Sequence, residues 1–332
     1  MVIDSNFYMS LALNEAWRYQ GLTYPNPAVG ALVLDRNGQI LSIAAHKEAN
    51  CAHAELLAVK EALLKLNPTL IFPKDPNRLH KFIIDNHNNL LKDSTIFVTL
   101  EPCNHQGKTP PCSKLLSSIK PKRVYIGSLE KNNIASGGAE YLKKEGIEVV
   151  SGVLKKECDL LIEPFLSWRD GHFSFIKVAM SANGVLDGGV ISSKESRELV
   201  HALRDKITTL AIGGNSVRID RPTLDARMVN GRAPEVFIYS RQKEFDKNIA
   251  LFGVKNRKVT ISSNWDEFKS SNFGMIEAGV NLFKNCPSFT KWLLLFKSSK
   301  FKIGKTIQAT KDYKLVWQGR NSEDSFGWYV KE

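Results

Sequence analysis

The sequence predicts an α/β protein of two domains, and three observations carry that reading. The chain has 332 residues, of which 43% are hydrophobic and 24% charged, an ordinary globular composition long enough for about two cores. Short apolar runs of strand length alternate with longer stretches of helix formers. Between them stand turn residues, with no heptad run, no repeat of solenoid period and no single-sign charge block. We place the domains at 1–150 and 151–332.

Taken in order, Asp4 or Ser5 can cap a first helix whose apolar positions Tyr8, Leu11 and Ala12 share a face, ending by Gly21. A loop follows at Pro25-Asn26-Pro27. Val29 to Leu34 and Ile40 to Ala44 flank Asn37-Gly38, a turn that tolerates positive φ, and read as two antiparallel strands. His53 to Leu66 is rich in Leu, Ala, Lys and Glu and is stopped by Pro68, so a helix is expected there. Thr95 to Leu100 and Arg123 to Gly127 are buried-strand patterns around a helix near Lys114 to Ile119. A further helix, Ala139 to Lys144, leads into a strand at Glu148 to Val150. The polar stretch from Asn67 to Lys92, with Pro73, Pro76 and the Asn86 to Asn89 run, fits no clear element and is read as a surface insertion.

Bulk properties exclude some classes. No stretch approaches the roughly 18 apolar residues of a spanning helix, and Asp4 and Glu15 do not suit a signal peptide, so a cytoplasmic protein without a membrane partner is expected. Five scattered cysteines, Cys51, Cys103, Cys112, Cys158 and Cys286, argue against a disulfide framework and leave metal binding or burial as their uses. The formal charge of +12 points to an anionic ligand without choosing between a phosphorylated metabolite and a nucleic acid.

The chemistry gathers at loops and helix starts. His53-Ala54-Glu55 opens a helix, Pro102-Cys103 follows a strand, and Cys112 stands before another helix. A zinc ion held by three protein ligands, with a fourth position open, lowers the pKa of bound water and so supplies the nucleophile for hydrolytic deamination. His53 and Glu55 are two residues apart and would diverge within a regular helix, so both reach one site only from its irregular first turn. A helix N-terminus also favours thiolate over thiol, which would suit Cys112. His-x-Glu followed by Pro-Cys and a second Cys matches the zinc nucleobase deaminases, in which the Glu is not a ligand. We therefore expect His53, Cys103 and Cys112 to hold zinc and Glu55 to carry the proton.

The run from Thr99 to Cys112, Thr-Leu-Glu-Pro-Cys-Asn-His-Gln-Gly-Lys-Thr-Pro-Pro-Cys, resembles the bifunctional riboflavin-biosynthesis deaminase/reductases, with eight residues between the two cysteines. Nucleic-acid-editing deaminases usually have two. Thr23-Tyr24-Pro25-Asn26-Pro27-Ala28-Val29-Gly30 and His46 resemble the same family. The resemblance implies a cytidine-deaminase-like three-layer α/β/α domain in which Asn26, His46, His105 and Lys108 contact substrate, Lys108 at its phosphate.

The same family carries a dihydrofolate-reductase-like α/β domain in its second half. Lys177-Val178-Ala179-Met180-Ser181-Ala182-Asn183-Gly184 resembles its opening strand and loop, and Ile191-Ser192-Ser193, Arg197, His201 and Leu203-Arg204 its next helix. Gly214, Ser216, Asp220, Pro222, Leu224 and Arg227 follow in the family's spacing, then Ser240 and Glu277-Ala278-Gly279. By this resemblance Met180, Ser192, Ser216, Asp220, Ser240 and Gly279 would face NADPH, and Arg204, Leu224, Arg227 and Glu277 the substrate. Arg204 and Arg227 offer planar forks suited to a ribose phosphate, while no acid/base dyad is evident. Asn183 stands for a usual Asp, Gly188-Gly189-Val190 for a segment with Trp, and Ala278 for a glycine. Leu129-Glu130-Lys131-Asn132-Asn133 replaces an Asp-Pro-Asn-Pro turn, and a usual Asp-Glu pair and closing strands are not evident, which reads as a shortened domain.

The implied function is zinc-dependent deamination of a phosphoribosylated diaminopyrimidinone, then NADPH-dependent reduction of its ribosyl to a ribityl side chain, in a homo-oligomer, dimer or tetramer. Two alternatives stand beside it. One is a deaminase whose second domain is not catalytic. The other is a nucleic-acid base deaminase, which the cysteine spacing and second domain disfavour.

Overall fold

Asp4 supplies the first helix cap: its carboxylate accepts the Phe7 amide at 2.9 Å, and α1 runs Ser5–Trp17. The structure, a computed structural model, describes residues 4–107, 109–130 and 136–332. The buried face of α1 is Met9, Ala12, Leu13, Ala16 and Trp17, with Tyr8 and Leu11 only half-buried beside it. Strands β1 (Gly30–Leu34) and β2 (Ile40–Ala45) pair antiparallel across a turn in which Asp35 accepts two amides and Gly38 takes φ 85°. Helix α2 is Ala54–Leu66, with His53 at its N-cap.

The segment expected to hold no element contains a helix, α3 (Pro76–Asn86), and that expectation is corrected. Asp75 caps the Arg78 amide, Pro76 occupies the first turn, and Leu79, His80 and Ile83 are buried. Then come β3 (Thr95–Leu100), α4 (Cys112–Ser118), β4 (Arg123–Ser128), α5 (Gly138–Lys144), β5 (Glu148–Ser151) and α6 (Lys155–Arg169).

The first sheet has the order β2-β1-β3-β4-β5, antiparallel through β3 and parallel beyond it. Alternation along the strands makes three layers. Ala31, Val33, Val124 and Ile126 face a core shared with α2, α4 and α5. The opposite face receives α1 at Gly30, where an added Cβ would lie 2.0 Å from the Ala12 carbonyl oxygen. It receives α6 at Gly127, where Cys158 leaves no more room. This is the α/β/α architecture expected.

The chain divides into two units, Met1–Pro164 and Phe165–Glu332. The boundary expected after residue 150 thus falls 14 residues later, within α6, by subtraction of the two positions. The first turns of α6 belong to the first unit because Cys158 packs on β4 and the Leu161 carbonyl accepts the buried Gln20 amide at 2.7 Å.

The second unit continues with β6 (Phe173–Met180), α7 (Lys194–Lys206), β7 (Thr209–Gly213), α8 (Gly214–Asp220), β8 (Glu235–Tyr239) and β9 (Val259–Ser262). It ends with α9 (Asp266–Lys269), β10 (Phe273–Glu277), α10 (Val280–Lys284), β11 (Trp292–Lys297), β12 (Tyr313–Asn321) and β13 (Asp324–Lys331). Its sheet has the order β12-β13-β11-β6-β10-β7-β8-β9, parallel from β11 to β9. The β12–β13 hairpin pairs antiparallel at the edge. The expectation that closing strands are missing is corrected: a pair of strands follows β11, turning through Ser322 at φ 55° and burying Trp317, Phe326 and Trp328. β10 lies between β6 and β7, and the carboxyl ends of parallel strands where the strand order reverses are where such sheets commonly bind ligands.

Candidate functional site

The first cluster forms where α2, the end of β3 and α4 begin or stop. His53 has extended backbone at the N-cap (φ −69°, ψ 162°) and makes no capping bond with its side chain, so the imidazole is turned to the site. Its Nδ1 lies 3.4 Å from Cys112 Sγ and 3.8 Å from Cys103 Sγ. All three ligand atoms lie within 4.8 Å of one another. Tetrahedral zinc with bonds of about 2.0–2.3 Å sets ligand atoms roughly 3.5–3.8 Å apart, so one nitrogen and two sulfurs at these distances fit that ion. The other ring nitrogen, Nε2, lies 3.4 Å from Thr109 Oγ1, the outer partner that orients a ligating imidazole.

Glu55 is buried in the first turn of α2. Burial raises its pKa, with His53 opposing, which keeps a proton available nearer neutrality. Burial likewise works against charge on His53, but Cys103 and Glu55 raise its pKa overall. The two cysteine sulfurs lie close enough to share a proton, and a bound zinc ion would hold both as thiolates. Hydrogen bonding from Cys112 and then His53 holds the Cys103 thiol down at about 4, against burial. The proton shared with Cys103, together with complete burial beside Glu55, pushes Cys112 well up.

Two predicted substrate residues join this cluster. His46 accepts or donates at both nitrogens: Nδ1 lies 3.1 Å from the Ala52 carbonyl and Nε2 lies 3.1 Å from Asn26 Nδ2. Burial lowers its pKa to about 4, with the Ala52 carbonyl opposing, so the ring is neutral at pH 7. Nδ1–H then donates to Ala52 and Nε2 accepts from the Asn26 amide, which leaves Asn26 Oδ1 for another donor. The buried Nδ1 of His105 finds no partner among the described residues. Lys108 lies outside the described residues, as do Lys131, Asn132 and Asn133 of the replaced turn. Glu101, not among the predicted residues, accepts the amides of Glu130, Gly137 and Ala139 at 2.9–3.1 Å and ties the start of α5 to the metal loop.

In the second unit several expected residues meet at the carboxyl edge of the sheet. A Cβ added to Gly279, the N-cap of α10, would have only Ser216 Oγ as a neighbour, at 3.9 Å. One on Gly214 would strike Ser240 at 2.7 Å. Gly279 thus lies near Ser216, and Gly214, two residues before Ser216, is packed against Ser240. Asp220 lies one turn beyond Ser216 on the same face of α8, its pKa raised by burial. Met180 ends β6. Ser192 lies in the segment before α7, beside Ser193, whose amide donates to the buried Asp324 carboxylate at 2.8 Å. Asn183 Oδ1 accepts from Ser181 and the Lys302 amide while its Nδ2 donates to the Lys302 carbonyl, a pairing that an Asp could not complete.

Arg204 is not a free fork, and that expectation is corrected. Its Nε and Nη2 bind Glu277 at 2.8 and 2.7 Å and its Nη1 donates to the Asp225 carbonyl at 3.1 Å. Arg227, 64% exposed at its side chain, uses Nη1 on Asp225. Leu224 is buried with φ 56°, and Arg257 donates to its carbonyl and to that of Thr223, both at 2.6 Å. Lys177 stands in register with Glu277 across β6 and β10. Burial lowers its pKa, with Glu277 opposing, while burial of Glu277 is overcome by Arg204 and Lys177, which lower that carboxyl. No dyad was expected, yet a lysine inside the apolar run Phe173–Met180 was itself a signal.

Comparison with known proteins adds the family. Residues 3–128 match the cytidine and deoxycytidylate deaminase zinc-binding region, and residues 173–282 match the RibD C-terminal domain. The riboflavin biosynthesis protein RibD of Aquifex aeolicus is 36% identical over 235 residues, covering 68% of this chain and 58% of that protein. RibD of Synechocystis is 30% identical over 269 residues, covering 78% and 66%. The chain thus spans little more than half the length of the first relative. Among solved structures, a Thermotoga maritima diaminohydroxyphosphoribosylaminopyrimidine deaminase/5-amino-6-(5-phosphoribosylamino)uracil reductase superposes with TM-score 0.64 at 24% identity, over 98% of each chain. Acinetobacter baumannii RibD gives 0.61 at 20%, also over 98% of each. These two likenesses concern the fold. Zinc at the first cluster and NADPH on the second unit fit the two matched domains. No helix among the described residues is long and apolar enough to cross a membrane. With both domain matches in one chain, in this order and with these relatives, the protein belongs to the family of bifunctional riboflavin-biosynthesis deaminase/reductases.

Proposed function

We propose that the chain deaminates 2,5-diamino-6-(5-phosphoribosylamino)pyrimidin-4(3H)-one and then reduces the ribosyl group of the product to ribityl. The observation that carries this reading is the convergence of His53, Cys103 and Cys112 with the buried Glu55 on a chain that also has the reductase domain.

His53, Cys103 and Cys112 would hold zinc, which when bound lowers the pKa of a water molecule and so makes the nucleophile. Glu55 would take a proton from the attacking water and deliver it to the ring nitrogen, then carry the proton of the new ring-carbon hydroxyl to the departing amine, which leaves as ammonia; its buried, raised carboxyl suits both directions of transfer. The Asn26 amide, fixed by neutral His46, offers its oxygen to a donor on the pyrimidine. His105, whose buried Nδ1 has no partner among the described residues, would contribute a substrate contact. Lys108 is assigned to the phosphate on sequence alone.

In the second domain NADPH, when bound, supplies a hydride. Met180, Ser192, Ser216, Asp220, Ser240 and Gly279 would line its site. Arg227 is the exposed guanidinium for the ribose phosphate, whereas Arg204 acts through Glu277 by holding that carboxylate in place. Leu224, buried in left-handed backbone three residues before Arg227, would face the substrate. A cytoplasmic homo-oligomer, dimer or tetramer, completes the proposal; five free cysteines accord with a reducing compartment.

The test supplies the diaminopyrimidinone phosphate with and without NADPH and follows ammonia release and NADPH oxidation separately. Ammonia in both samples, with oxidation only after deamination, supports the reading. Ammonia without oxidation would leave a deaminase with a non-catalytic second domain, and no ammonia would refute the substrate.

A further inference from the structure

The segment 67–92 plays no part in the reading above, yet it touches both helices that carry the metal site. From α3, Leu79 and Ile83 enter one core with Ala54 and Leu56 at the start of α2 and with Leu115 and Leu116 of α4. Ahead of α3, Phe72 packs edge-on against Phe82 at 5.5 Å, and Lys60 of α2 lies over the Phe72 ring.

His80 reaches further. It is 5% exposed, and its Nε2 lies 3.2 Å from the carbonyl oxygen of Pro111. A carbonyl only accepts, so Nε2 carries the hydrogen. The amide hydrogen of the same peptide unit, on Cys112, donates to Cys103 Sγ at 3.4 Å. In a trans peptide the C=O and N–H point in opposite directions. His80 and Cys103 therefore grip the Pro111–Cys112 peptide plane from its two sides. Among the described residues little local replaces that grip: the N-cap of α4 has no side-chain capping bond, the helical bond from Leu115 to the Pro111 carbonyl is long, 3.4 Å, and the Ser113 amide, bound to the Cys103 carbonyl at 3.2 Å, anchors the next peptide unit rather than this one. Rotation of this plane would turn the Cα–Cβ direction of Cys112 and draw its amide away from the Cys103 sulfur.

We propose that α3 buttresses the metal-binding loop and that His80 is a positioning residue, anchoring the Pro111 carbonyl so that the Cys112 sulfur and the N–H···S bond to Cys103 are correctly set. This rests on the reading of His53, Cys103 and Cys112 as zinc ligands.

The test uses the full chain with His80→Leu, which keeps bulk without a donor, and His80→Gln, which restores an N–H near the position of Nε2. Zinc affinity is measured by chelator competition, beside the kcat and KM of deamination and the NADPH oxidation rate on deaminated substrate. His80→Leu should bind zinc about tenfold more weakly, the lower end for loss of an outer partner, and lose kcat with little change in KM. His80→Gln should recover both, and NADPH oxidation should be unchanged in either variant. Wild-type zinc affinity and kcat in His80→Leu would overturn the proposal. Equal losses in the Leu and Gln variants would overturn it too, because shape and not the hydrogen bond would then matter. A wild-type chain that binds no zinc would instead refute the metal reading itself.

Discussion

Replacing Glu55 by Gln isolates the proton carrier from the rest of the site. The side chain is 4% exposed and sits in the first turn of α2, so an amide of the same shape occupies the same space. Burial already disfavours the charged carboxylate, so the fold loses little: about 1 kcal/mol or less, the scale of one altered hydrogen bond. The three residues assigned to zinc are untouched, so metal content should stay at the wild-type level. The reaction is another matter. A positioned general acid/base contributes about 10²–10⁴ in rate, equivalent to roughly 3–5 kcal/mol of barrier at 1.36 kcal/mol per decade. Ammonia release at saturating substrate should therefore fall by at least about a hundredfold while KM and melting temperature move little. Turnover within tenfold of wild type would refute the role of Glu55. Loss of zinc together with activity would mean that Glu55 supports the metal rather than the proton.

Arg227→Ala should raise the KM of reduction and leave deamination near its wild-type rate, since the exposed guanidinium belongs to the second unit; equal losses in both reactions would show a shared site. Arg257→Met removes two 2.6 Å bonds that hold Leu224 in left-handed backbone, and should destabilise the second unit by about 3 kcal/mol in denaturant unfolding. An unmoved midpoint would mean that those carbonyls find other donors. His46 gives a pH signature. Its native pKa of about 4 lies below the unfolded value near 6.5, so between these limits the unfolded chain binds more protons and stability rises with pH. About 3 kcal/mol should be lost from pH 6.5 to pH 4, and His46→Gln should flatten that slope; an equally steep slope in the variant would assign it to other groups.

The strands and helices of the first unit were legible because their patterns are local: Asn37-Gly38 marks its turn, and Pro68 bounds α2. The metal triad was legible for the same reason, since His-x-Glu and the two cysteines sit at element ends that local patterns locate. Helix α3 escaped because its four apolar residues, Leu79, Phe82, Ile83 and Ile84, are clustered in one short stretch of a polar segment, although Asp75-Pro76 is a helix-start signal. The C-terminal hairpin escaped because β12 buries only Trp317, leaving the alternation of Phe326, Trp328 and Val330 in β13 as its clearest local mark. Long-range pairing was beyond local reading. Arg204 looks like a free cation until Glu277, 73 residues away, is brought against it, and Cys112 meets His53 only because the fold sets the start of α4 against that of α2.

The central claim is that His53, Cys103 and Cys112 form the zinc site on which deamination depends. Metal analysis of the purified chain beside Cys103→Ser tests it most directly. About one equivalent of zinc in the wild type and almost none in the variant, with ammonia release lost and NADPH oxidation on deaminated substrate retained, is the predicted result. A Cys103→Ser chain that keeps its zinc and still releases ammonia would contradict the account.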